Sequence, residues 1–265
     1  MKRIVCVILF ASNLAVCNAK SVSSEQFKYS ISLGVGAMGT VAEKGPKTKT
    51  SIGDMRFLHP WDVAFNGVFN IRLKHGFSAG LELGIDRFDY GYKAEQKYSI
   101  DGISSGLLAS DANINLYRAG FRCSYDIHIS KRILIQASLA PSIGFYPHID
   151  HLDDTAALNE YQYRVRPAGT GKTQYIELPP YQNSKPKFLV RSAITGSYKI
   201  GKRMHITGDI SYQQGFKPFL IHYVMVRQID PVTFATDQQQ FYTKINGSCF
   251  QFHIGFRYEF GSRGK

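Results

Sequence analysis

The segment Phe250–Phe260 reads Phe-Gln-Phe-His-Ile-Gly-Phe-Arg-Tyr-Glu-Phe and alternates without a break. Phe250, Phe252, Ile254, Phe256, Tyr258 and Phe260 fall on one face, and Gln251, His253, Gly255, Arg257 and Glu259 on the other. Successive side chains of a strand point to opposite sides, so this strand has one greasy face and one wet face. Six bulky apolar groups on a single face, aromatic at the end, suit contact with lipid.

The N-terminal residues read as a leader. Lys2 and Arg3 precede the apolar run Ile4–Ala11, and Cys17-Asn18-Ala19 supplies small residues for cleavage after Ala19. Leu14-Ala15-Val16-Cys17 also resembles a lipobox, although Val16 fits poorly where such motifs carry a small residue. Residues 1–19 are therefore expected to be a signal peptide and 20–265 one domain. No later stretch holds 18 consecutive apolar residues, which excludes a spanning helix. Abundant glycine (24), 13% aromatics and recurring alternating runs predict an all-β fold. Net charge is +12. No helix-turn-helix, zinc or RNA-binding pattern accompanies it, so nucleic acid is not the expected counter-charge. Lipopolysaccharide phosphates or acidic host surfaces fit better.

Eight alternating segments are legible, at about 27–37, 61–73, 77–90, 113–127, 133–146, 187–199, from 204, and up to 260. Tight connections at 74–76, 128–132 and 200–203 alternate with long ones at about 39–60, 91–112, 147–186 and 214–240. Short turns on one side and long loops on the other are the rhythm of an antiparallel up-and-down transmembrane β-barrel, with both termini on the periplasmic side. Phe27, Tyr29, Phe77, Tyr125, Tyr198, Tyr258 and Phe260 fall at the short-turn ends; Trp61, Tyr117, Phe145 and Phe188 fall at the long-loop ends. Two aromatic rings at two interfaces form the expected girdles. A soluble lipocalin-like barrel would turn the apolar set inward instead. The loop rhythm, the aromatic ends and the absence of a Gly-x-Trp start favour lipid.

The wet faces carry Asp62, Arg72, Glu82, Asp86, Arg118, Arg122, Asp126, Arg191, Asp209, Arg257 and Glu259. The interior of an eight-stranded barrel is just wide enough for side chains to fill. Charges there must pair or meet water. The set therefore reads as an ion-pair plug or, alternatively, as a gated polar path for a small solute.

With these features the chain resembles the small eight-stranded outer-membrane barrels of the OmpA, OmpX, OmpW or opacity-protein type. The most specific match is His253-Ile254-Gly255-Phe256-Arg257-Tyr258-Glu259-Phe260. There His253, Gly255, Tyr258 and Phe260 resemble the terminal-strand signal read by the barrel assembly machinery, although Gly261–Lys265 follow the aromatic. The resemblance implies an outer-membrane location and does not select an activity, because this scaffold hosts adhesins, small pores and enzymes. The reading carried forward is a surface-interaction barrel with a filled polar interior. A small-solute channel of the OmpW type and a lipid-A-modifying enzyme are the alternatives.

Other motifs carry less. His148, Asp150, His151, Asp153 and Asp154 could hold a divalent cation, but no element fixes their geometry. Ala168–Thr173 imitates the end of a P-loop and has Arg166 where glycine is needed. His205, Asp209 and Ser211 form the one local hydrolase-like set, and His205 and Ser211 lie too far apart along a strand to bond. No catalytic residue, metal or cofactor is assigned. The apolar run Phe219–Val226 is expected to form a hairpin with Phe241–Ile245, closed by Asp230-Pro231, and either to pack on other loops or to serve as a receptor surface. Lys44, Lys47, Lys49, Arg56, Arg164, Arg166, Lys172, Lys185 and Lys187 would give the long loops a cationic collar for lipopolysaccharide or an extracellular acidic ligand. Cys123 falls on an apolar face and Cys249 on a polar one, so two free thiols are expected.

Overall fold

The computed structural model describes residues 27–45, 53–57, 61–73, 75–96, 107–146, 163–165, 172–182, 185–229 and 236–262. The expected leader, the 148–154 histidine–aspartate cluster, Asp230-Pro231 and most of the P-loop imitation lie outside the described residues.

In chain order the strands are β1 (Phe27–Thr40), β2 (Glu43–Gly45), β3 (Gly53–Phe57), β4 (Trp61–Arg72), β5 (Phe77–Gln96), β6 (Leu107–His128) and β7 (Ile133–Phe145). They are followed by β8 (Tyr163–Val165), β9 (Lys172–Gln182), β10 (Lys187–Lys199), β11 (Met204–Gly215), β12 (Leu220–Ile229), β13 (Thr236–Ile245) and β14 (Cys249–Ser262). Eight of them close on themselves in the order β4-β1-β14-β11-β10-β7-β6-β5, with β5 returning to β4. Every pairing in the ring is antiparallel. The terminal strands meet in register from Phe27 opposite Ser262 to Thr40 opposite Cys249, and closure leaves the ring without an edge.

The tight turns are built locally. The Leu73 amide donates to the Phe77 carbonyl at 2.7 Å. His75 (φ 58°) and Gly76 (φ 82°) take the left-handed conformation that lets so short a hairpin match the strand twist. Comparable bonds close Ile129 to Ile133 and Ile200 to Met204 at 3.1 and 3.0 Å.

At the opposite end more strand is present than the sequence reading expected, which was a hairpin in the last long connection alone. β5 and β6 stay paired well past the predicted end of the strand, out to Glu95 opposite Leu107. β3 adds to β5 beyond the rim, from Phe57 opposite Tyr92 to Gly53 opposite Gln96. A second, five-stranded sheet, β2-β13-β12-β9-β8, is formed by the other long connections. Residues in this region lack the apolar alternation that marks a lipid-facing strand. In water a hairpin needs only its backbone bonds and cross-strand pairs, so a polar sequence there still forms a ladder.

Burial is inside-out. Along β14 the apolar set is exposed, with Ile254 at 72%, while Gln251 opposite it is fully buried. Leu33, Phe65, Leu83, Ile194 and Ile210 repeat the pattern on other strands. A belt of this kind exposed to water would cost about 25 cal/mol per Å², so hydrocarbon is its solvent. The girdle aromatics pack on one another across strands: Tyr29 on Phe69 and Phe260, and Phe77 on Tyr125, with ring centroids 5.0–6.2 Å apart. Trp61, 67% exposed, marks the outer rim. Cys123 is exposed on the belt and Cys249 buried in the lumen, both as free thiols.

Candidate functional site

The candidate site is the lumen. β5 presents Ser78, Gly80, Glu82, Gly84, Asp86 and Phe88 inward. Gly84 makes room for Arg118, whose guanidinium occupies the place a Cβ would take. Glu82 then receives three guanidiniums. Arg118 Nη1 and Arg191 Nη1 donate to its Oε1 at 2.5 and 3.0 Å, and Arg122 Nη1 to its Oε2 at 3.1 Å.

Each arginine is tied elsewhere as well. Arg118 Nε donates to Asp86 at 3.0 Å, and Asp86 also accepts from Gln213 and Gln251 at 3.1 and 2.9 Å. Arg191 binds Asp209, and its Nε donates to Ser211 at 3.1 Å. Arg122 Nη2 donates to Gln136 at 3.2 Å, which hands on a 2.6 Å bond to Asp126. Asp209 further accepts from Thr195 at 2.9 Å and faces His253 Nδ1 at 3.2 Å.

A second cluster lies nearer the short turns. Arg72 spans Asp126 and Glu259 at 3.3 Å each. Arg257 and His205 approach the same Glu259 at 3.4 Å each. Asp62 is buried at the outer end and pairs with Arg87 at 3.6 Å, a residue that the sequence reading passed over. The side chains of Glu82, Arg118 and Arg191 are each only 1% exposed.

Above this polar fill the lumen turns apolar. Met38, Ala64, Phe88, Ile114, Leu116, Tyr146, Leu189 and Cys249 line the outer third, and Phe219, Leu220 and Ile245 descend into it from the extramembrane sheet. Phe219 lies edge-on to Phe88 at 5.5 Å and against Tyr146 at 5.3 Å. The junction is pinned by polar contacts. The Phe219 amide donates to the Ile245 carbonyl at 2.9 Å, Gln213 Nε2 to the Gly247 carbonyl at 2.9 Å, and the Gly215 amide to Ser248 Oγ at 3.0 Å. The predicted hairpin is present as β12 and β13, and its root packs inward rather than standing free.

The structure does not bring the hydrolase-like set together. Ser211 Oγ accepts from Arg191, whereas His205 sits against Glu259. Ser248 bonds the Gly215 backbone and Gln214. Among the described residues no group of three or more His, Cys, Asp or Glu has metal-binding spacing. Gln136, Gln213, Gln251 and the apolar cap are the partners that sequence reasoning missed.

No protein family matches the chain by sequence, and no curated protein does. Among solved structures it is similar to the outer membrane protein OprG from Pseudomonas aeruginosa, with 9% identity, 91% of this chain and 99% of that chain covered, and a TM-score of 0.47. It is also similar to the outer membrane protein AlkL (11% identity, 93% and 96% covered, TM-score 0.39). A third likeness is to Ail, the attachment invasion locus protein of Yersinia pestis (9% identity, 88% and 99% covered, TM-score 0.36). These likenesses are loose. The closed pairing and the inside-out burial define the fold by themselves: an eight-stranded transmembrane β-barrel.

Proposed function

We propose that the chain is a surface protein of the bacterial outer membrane, in which a sealed barrel is the anchor and the extramembrane sheet is the interacting element. The observation that carries this reading is the doubly filled lumen: an ion-pair layer at mid-barrel and an apolar cap above it. Neither layer leaves a wetted path, and an aqueous pore needs one. The five-stranded sheet then offers an ordered surface beyond the rim. Its partners are the phosphates of lipopolysaccharide beside the barrel and an acidic extracellular ligand above it, met by the excess of lysine and arginine in the chain (32 against 20 acidic residues). Insertion by the barrel assembly machinery through His253, Gly255, Tyr258 and Phe260, and cleavage of a leader after Ala19, belong to the same reading.

Planar-bilayer recording of the purified chain tests it. No steady unitary conductance is expected; steady open events would overturn the sealed anchor in favour of a small-solute channel. Binding of cells displaying the protein to immobilised acidic glycans should be lost when residues 221–244 are replaced by a short linker, with surface display unchanged. Unchanged lipid A mass on expression is expected; a mass shift would establish the lipid-modifying alternative.

A further inference from the structure

Two neighbouring short turns carry the same four-residue pattern. The turn between β6 and β7 reads Ile129-Ser130-Lys131-Arg132, and the turn between β10 and β11 reads Ile200-Gly201-Lys202-Arg203. They close alike. The amides of Ile129 and Ser130 donate to the Ile133 carbonyl at 3.1 and 3.2 Å, and those of Ile200 and Gly201 to the Met204 carbonyl at 3.0 and 3.2 Å. Because β7 pairs with β10, the turns sit side by side, joined by a 2.8 Å bond from the Lys199 amide to the Arg132 carbonyl. The backbone makes these bonds, which leaves the side chains to the surroundings. Lys131, Arg132, Lys202 and Arg203 are exposed and Lys199 is half-buried. Among the described residues no carboxylate pairs with Lys131, Arg132, Lys199 or Lys202. The acids of this end, Asp126 and Glu259, turn into the lumen, where Arg72, Arg257 and His205 meet them.

We propose that these two turns form a binding surface for the head groups of anionic phospholipids in the leaflet beside them. The isoleucines decide between a lipid and a soluble acidic partner. Ile129 and Ile200 are 59% and 49% exposed, and they stand just beyond the girdle tyrosines Tyr198 and Tyr258. At that depth an apolar tip reaches the boundary of the hydrocarbon, and the flexible stems of its lysine and arginine neighbours carry their charges to the phosphates. Water or a soluble acid would meet the cations and leave both isoleucines uncovered. The missing counter-charge decides between lipids. A zwitterionic head group brings its own ammonium beside its phosphate, whereas an anionic one brings net negative charge to an arc that holds four cations without a carboxylate. The surface lies at the end of the barrel opposite the extramembrane sheet. The inference goes beyond the surface-protein reading and needs only that the barrel sits in a bilayer.

Native mass spectrometry of the full chain in detergent tests it, with dimyristoyl phosphatidylglycerol and, separately, dimyristoyl phosphatidylcholine added. The two probes share their chains and differ in head-group charge. Phosphatidylglycerol should be held at least about fivefold more tightly, the increment of one basic residue beside an anionic surface. Replacing the four cations together (Lys131→Gln, Arg132→Gln, Lys199→Gln and Lys202→Gln) should bring the two affinities together. The urea midpoint of that variant in phosphatidylcholine vesicles should stay in place, because the turn bonds are made by the backbone. Lys185→Gln with Lys217→Gln, two exposed lysines at the other end of the barrel, should leave the preference intact. Equal affinities in the parent chain, a preference that survives the four substitutions, or one lost with Lys185 and Lys217 overturns the proposal.

Discussion

The mid-barrel and the outer third of the same cylinder are filled in opposite ways. At Glu82 the fill is geometric: one carboxylate, three guanidiniums and their secondary bonds to Asp86, Asp209 and Gln136 fix each position. At Phe219 the fill is volumetric, a ring lodged among Phe88, Tyr146 and their apolar neighbours. Desolvating charges is expensive, and the expense is offset only when every member is paired, so the polar layer tolerates little change. An apolar cap tolerates swaps that conserve volume. The barrel strands supply the whole polar layer. The cap needs a segment from outside the ring, which makes it the point where barrel and extramembrane sheet are coupled.

Glu82→Ala should separate the two regimes most sharply. It strands three buried arginines against too few carboxylates and should cost at least about 3–5 kcal/mol, the usual penalty for breaking a buried pair. Urea titration in vesicles, followed by the fluorescence of the single tryptophan, Trp61, measures it. Phe219→Ala should cost about 3 kcal/mol through the lost ring and the hole it leaves. The cap variant should also raise protease cleavage of the extramembrane sheet while bilayer conductance stays at baseline, because the charged layer below still seals the lumen. If Phe219→Ala alone opens a steady conductance, the polar layer is not a seal and the contrast fails. Phe219→Leu should recover most of the loss, whereas Glu82→Gln, equally close in shape, should recover little.

A third substitution compares the lumen with the belt. Ile254, near the middle of β14 and the most exposed large apolar side chain among the described residues, faces hydrocarbon. Ile254→Lys should cost about 2 kcal/mol, within the range for a charge near the bilayer midplane. The same lysine at Tyr258, close to the turn-side interface, should cost much less. Equal penalties at the two depths would mean that the belt is not in lipid.

How much of this was legible follows from where each residue sits. The eight barrel strands announce themselves by period-two alternation, and the same phase points Glu82, Arg118, Arg191 and Asp209 inward. Gln136, Gln213 and Gln251 occupy that phase too, but a neutral amide on a wet face carries no sign that it completes a charge network. For the cap a signal was present. Phe88, Ile114, Leu116 and Leu189 are apolar residues in the inward register at the outer strand ends, where charge would be expected. What fills them could not be read, because Phe219 and Leu220 come from a connection without alternation. Apart from the β12–β13 hairpin, the extramembrane strands were hidden for a related reason. A ladder surrounded by water has no greasy face to mark it.

The smallest effect expected lies in that extramembrane sheet, where Lys244 donates to Glu43 at 3.2 Å and sits 4.6 Å over the Tyr242 ring. The bond to Glu43 holds the lysine above its ordinary pKa. A raised pKa contributes stability that is fully present below the unfolded lysine range and is lost as pH rises through the folded value. The pair faces solvent, with Lys244 about one-third and Glu43 about two-thirds exposed, so it is screened and its contribution to overall stability should not be measurable. Glu43→Gln should therefore shift the Lys244 titration, followed by NMR of the ammonium-bearing carbon, down toward the ordinary value. The urea midpoint should not move. β2 meets β13 through only a short ladder, from Tyr242 opposite Gly45 to Lys244 opposite Glu43. A falling midpoint would mean that this edge contact, rather than the Phe219 cap, holds the sheet to the barrel.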